Sequence, residues 1–146
     1  MADITVTAAR LRILESIEAR TITAFAGAAI TKGQACYITS TGTAALAKAD
    51  AVATGPAVGI ATHNAASGQP VTLLYHGRLA GYTLGDPGTI AYLSETTAGA
   101  LADAAPDGNN EFVQSIGRVM EMTDGSGTEY LFVDINLAFV PVALSV

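Results

Sequence analysis

Turn signals recur along this chain from about residue 20 onward, and the intervals between them leave room for short strands rather than long helices. They read Thr31-Lys32-Gly33, Ser40-Thr41-Gly42, Ser67-Gly68, Gly85-Asp86-Pro87-Gly88, Pro106-Asp107-Gly108 and Asp124-Gly125-Ser126-Gly127. Each supplies a residue that tolerates positive φ or a proline that presets φ for a turn. Between them lie β-branched and aromatic runs: Ala35-Cys36-Tyr37-Ile38, Val71-Thr72-Leu73-Leu74-Tyr75 and Glu129-Tyr130-Leu131-Phe132-Val133. This pattern predicts an all-β, mainly β fold: a compact β-barrel or β-sandwich of short strands with an extended N-terminal arm and at most one short helix. Residues 1–20 are expected as the arm and residues 21–146 as one β-rich domain.

The chain also repeats itself. Gly33, Tyr37, Ile38 and Leu46 find counterparts 55 positions on in Gly88, Tyr92, Leu93 and Leu101. Val58-Gly59-Ile60 then parallels Ile116-Gly117-Arg118-Val119 at a step of 58, with the loop around Pro106–Asn110 taking up the difference. A unit of hairpin, linker, strand, turn and strand cannot bury its apolar face alone, whereas two such units can close on each other.

Both chain ends are apolar. Near the start, Ala8, Leu11, Leu14 and Ile17 follow helical spacing with Thr7 placed to cap, while Ile4, Val6 and Thr21-Ile22-Thr23 alternate as strands do. One or two helical turns in an extended arm satisfy both patterns, and an edge strand is the competing reading. At the other end, Leu137-Ala138-Phe139-Val140-Pro141-Val142-Ala143-Leu144 runs apolar to within two residues of the terminus. Free ends are usually polar, so Phe139, Val140, Val142 and Leu144 are expected to dock on the core or on another copy. Pro141 has no N–H to give a sheet, which argues against a central strand there.

Composition narrows the function classes. The net charge is −6 with seven basic residues, which speaks against a nucleic-acid partner, because phosphate contacts need clustered Lys and Arg. No apolar run reaches the eighteen or so residues of a membrane-spanning helix, and no secretory leader is recognisable, so a chain made in the cytoplasm and without a membrane partner is expected. Cys36 stands alone and cannot close an intrachain disulfide. Charged residues are 14% of the chain, against about 25% in an average domain. That shortfall suggests apolar surface covered by copies or partners.

Enzyme motifs are missing. Cys36 sits in a strand between Ala35 and Tyr37, and His63 and His76 have neither HxH nor HExxH spacing. The carboxylates Asp86, Asp103, Asp107, Glu111 and Asp124 fall in turns, where Asp bonds the turn backbone. Asp107-Gly108-Asn109-Asn110-Glu111 lacks the alternation of an EF-hand loop, and Asp124-Gly125-Ser126-Gly127-Thr128 lacks the lysine of a phosphate loop. No catalysis, cofactor or metal is expected.

Taken in order, the segments Ala29-Ile30-Thr31-Lys32-Gly33-Gln34-Ala35-Cys36-Tyr37-Ile38, Ala57-Val58-Gly59-Ile60-Ala61, Val71-Thr72-Leu73, Tyr92-Leu93-Ser94, Gly99-Ala100-Leu101 and Ile116-Gly117-Arg118-Val119 form a recognisable series. Over roughly residues 20–135 it resembles the small cement proteins of tailed-phage capsids and, more loosely, the head decoration proteins of lambdoid phages. The resemblance implies a β-barrel-like protein, often trimeric, bound to the outside of the virion head. Its partners would be the major capsid protein and its own copies, and it brings no catalytic residues. Terminal arms commonly reach neighbouring subunits in that family, which makes Ile4, Val6, Leu11, Ile13, Leu14 and Ile17 the expected capsid contacts. A β-rich fibre, tail or glycan-binding module is the alternative, disfavoured by 6% aromatics and no Trp.

Overall fold

The protein is described here by a computed structural model, covering residues 3–14, 18–123 and 125–146. Ile17 and Asp124 lie outside the described residues. The fold is mainly β, as expected, and the described residues form twelve strands in one mixed sheet. These are β1 (Asp3–Val6), β2 (Arg12–Leu14), β3 (Arg20–Ala26), β4 (Ala35–Ile38), β5 (Thr43–Leu46), β6 (Gly59–Ala61), β7 (Pro70–Ala80), β8 (Tyr82–Thr83), β9 (Ile90–Leu93), β10 (Leu101–Ala102), β11 (Ser115–Glu121) and β12 (Glu129–Asp134).

Strand pairing closes the sheet into two rings that share β7. In the first, β3 pairs with β5, then β4, β6 and β7 follow, and β7 returns to β3. The β3–β5 step is parallel and the other steps are antiparallel. The second ring leaves β7 through β12, β11, β9, β10 and β1 to β8, which continues β7 past Gly81. Gly81 has φ +116, and a Cβ there would meet the Leu11 Cα at 2.6 Å. Glycine thus serves both the bend and the close approach of a neighbouring chain.

Two cores fill the rings. The smaller joins Ala26, Ile30, Cys36, Ala44, Ala61, Ala65, Val71 and Leu73. The larger includes Ala35, Ile60 and Leu74 from the first half of the chain, with Ala91, Leu93, Leu101, Phe112, Ile116, Leu131 and Val133 from the second. Neighbouring residues of one strand therefore serve different cores: Ala35 and Cys36 on β4, Ile60 and Ala61 on β6, Leu73 and Leu74 on β7. A wall buried on both faces must be apolar throughout rather than alternating. That accounts for much of the low charge content within the single chain.

The sequence repeat is present in the backbone. Cys36 pairs with Gly59 as Ala91 pairs with Gly117, and Ala35 with Ile60 as Ile90 with Arg118. Hydrogen bonds follow suit: Gly33 N donates to Ala61 O as Gly88 N does to Val119 O, and Gln34 N to Thr31 O as Thr89 N does to Asp86 O. Gly33 and Gly88 have φ +93 and +92. Gly59 and Gly117 both lie so close to the next strand that a Cβ would collide with it. In the first hairpin the equivalence differs from the one expected. Tyr37 pairs with Ala45 and Ile38 with Ala44, where Tyr92 pairs with Ala102 and Leu93 with Leu101. Leu101 thus corresponds to Ala44, not Leu46, because the second loop is longer.

Candidate docking surfaces

The N-terminal segment is not a free arm, because it runs along the β7–β8 edge. Thr5 and Val6 pair with Thr83 and Tyr82, and Arg12, Ile13 and Leu14 pair with Ala80, Leu79 and Arg78. Asp3 and Ile4 add a second pairing with β10. The expected helical spacing yields one short 3-10 turn, Ala8–Arg10, without a side-chain cap from Thr7. Two of the residues expected as capsid contacts are buried within the chain. Ile4 and Leu11 are 8% and 7% exposed, since an apolar side chain held at a ring closure is driven inward. Val6, Ile13 and Leu14 are half-buried, Val6 lying over Gly33, and Ile17 falls outside the described residues.

The C-terminal segment divides by residue. Phe139 packs against the larger core. Leu144 is half-buried and held by two backbone bonds, its N–H to Glu111 O (2.7 Å) and its O accepting from Asn110 N (2.9 Å). Val140 and Val142 are each 76% exposed, so docking on the chain's own core does not extend to them.

The outer face of β9, β11 and β12 is the second exposed feature. A hollow of about 360 Å³ opens between Ile90, Arg118, Met120, Phe132 and Asp134. A neighbouring one of about 370 Å³ reaches Tyr92 and Phe139. His76 sits edge-on to Phe132 and 3.4 Å from Asp134, and the Arg78 guanidinium lies 5.4 Å from the Tyr130 ring centre. Charged and apolar side chains are interleaved on this face, Arg118 standing between Ile90 on one neighbouring strand and Phe132 on the other. Sequence reading missed this face, whose signal is the replacement of core residues of the first unit by larger or charged ones in the second.

The groups considered for chemistry are dispersed. Cys36 is fully buried, and burial pushes its thiol up to about 12, far from a reactive thiolate at neutral pH. His63 Nε2 accepts from Thr72 N at 3.0 Å, leaving Nδ1–H to donate to Asn64 O, so the ring fastens a turn. Glu111 Oε1 accepts from Gly108 N and closes its own loop. Among the described residues, no three His, Cys, Asp or Glu side chains come together as a metal site. No protein-family model matches the chain, and no curated protein matches it.

Proposed function

We propose that this chain is a non-catalytic structural virion protein that binds the outer surface of a tailed-phage head. There it bridges major capsid protein subunits and stabilises the shell, as a homotrimer made in the host cytoplasm. The observation that carries the reading is the ordered series of glycine turns and apolar strands over roughly residues 20–135, in which the family resemblance lies. A body closed into two rings suits a protein that must transmit load without deforming. With Ile4 and Leu11 taken up by the core, the capsid contact falls to side chains the fold leaves outside, Val140 and Val142 first. Burying one such aliphatic side chain contributes roughly 1.5–3 kcal/mol, so a few anchors per copy suffice when several copies engage together.

Co-sedimentation with undecorated mature heads and with unexpanded procapsids tests the proposal. Saturable binding to mature heads, at a fixed ratio to the major capsid protein, is the expected result. Binding to neither shell would refute it and favour a fibre, tail or glycan-binding module.

A further inference from the structure

Positive charge is unevenly placed on this fold. The chain has seven basic residues at a net charge of −6, and strand register brings four of them, all arginines, to one outer side. Residues directly opposite across strands share a face, as do residues two apart along one strand. One row therefore runs Leu14, Arg78, Phe132, Arg118 and Ile90 across β2, β7, β12, β11 and β9. In the adjoining row, Arg20 stands opposite His76, and His76 opposite Asp134. Arg12, two residues before Leu14, extends the charge on the far side of that first row. Arg12, Arg20 and Arg118 are exposed and Arg78 is half-buried. A hollow of about 510 Å³ opens between Arg20, His76 and Arg78, with Glu18 and Phe132 completing its wall.

We infer that this side binds an acidic segment of a partner protein, with one of its carboxylates seated in the hollow. Charge complementarity carries the inference. The counter-charges already present are loosely set. Glu18 Oε2 lies 3.7 Å from Arg78 and Asp134 Oδ1 lies 3.4 Å from His76, and both carboxylates are more than half exposed. Exposed ion pairs of this kind are weak, so an incoming carboxylate exchanges readily with Glu18. Arginine suits such a ligand, because its planar fork meets a carboxylate through two parallel hydrogen bonds. Ile90, Met120 and Phe132 stand among the arginines and offer contacts to apolar side chains interspersed in the same segment. A nucleic acid fits less well. Its phosphates continue past any one patch, and most of the chain's thirteen carboxylates lie beyond this one. The inference rests on register and charge and stands apart from the capsid reading.

Fluorescence anisotropy on the full chain tests it, with a rhodamine-labelled hexaglutamate peptide as the probe. Saturable binding at low salt is expected, weakening as salt is raised. Arg20→Glu and Arg118→Glu are each expected to weaken it at least about tenfold. Both positions are exposed, so the variants keep the fold, which circular dichroism checks. Lys32→Glu makes the same charge change in the turn before β4 and should shift affinity by less than about twofold. No binding at low salt, or equal losses in all three variants, would overturn the proposal. A single-stranded oligodeoxynucleotide held more tightly than the peptide would also overturn it, by assigning the face to nucleic acid. Peptide binding without head binding would sink the capsid reading and leave this inference standing.

Discussion

The two ends of this chain are both apolar, yet the fold treats them in opposite ways. The N-terminal residues 3–14 are built into the second ring, while Val140 and Val142 near the C-terminus stand in solvent. Hydrophobicity does not separate them; unsatisfied backbone does. Without β1 and β2, the strands β8 and β10 and the C-terminal part of β7 would expose open edges, which are costly and adhesive. The tail meets no such edge. Pro141 lacks a donor, and Leu144 secures the segment to a loop instead of a sheet. An apolar terminus is thus internal when an open edge awaits it and external when none does.

The comparison breaks most visibly under deletion. Removing residues 3–14 takes out two strands together with buried Ile4 and Leu11. A loss on the order of 5 kcal/mol or more is expected, enough to abolish a cooperative thermal transition by circular dichroism. A normal melt would show the segment to be a removable arm after all. Ile4→Ala should cost about 2–4 kcal/mol in a urea titration, through lost burial and the cavity left behind.

Cys36, in the smaller core, reports whether either lesion spreads. Its thiol ionises near 9 in the unfolded chain and near 12 in the fold. The unfolded state therefore releases its proton first, and stability falls by up to about 1.4 kcal/mol per pH unit as pH rises from 9 towards 12. Below pH 9 the thiol is neutral in both states and contributes no slope. Cys36→Ala should flatten the profile just above pH 9. The buried Tyr82 hydroxyl, also pushed up from its ordinary value of 10, keeps a slope of the same sign at higher pH. An unchanged slope just above pH 9 would assign it elsewhere. Smallest of all, removal of residues 140–146 should cost less than about 1 kcal/mol and leave Cys36 unreactive towards a thiol reagent. A larger loss would place the tail among the structural elements.

Much of the fold was legible because its signals are local. The turn glycines at 33, 42, 68 and 88 all have positive φ, and the runs around Cys36, Leu73 and Leu131 are strands. The repeat was legible because register glycines such as Gly59 and Gly117 occupy positions where a side chain would collide. What escaped depends on partners distant in sequence. Nothing near Ile4 announces Leu101, and nothing near Phe25 announces the parallel partner Thr43. The open face was hidden for the same reason: Ile90 and Ala35 look alike until one knows which of them is covered.

The first ring uses residues from Arg20 to Ala80 alone. A ribosome making this protein therefore releases a segment able to close before its counterpart exists. Until β12 emerges, roughly fifty residues or about 3–10 s later at 5–20 residues per second, Ile60 and Leu74 face water. During that interval a nascent chain presents the apolar wall that its own second half is meant to cover. Chains on adjacent ribosomes of one message could bind through it and exchange halves, so slow translation of residues 81–134 should raise the yield of tangled dimers.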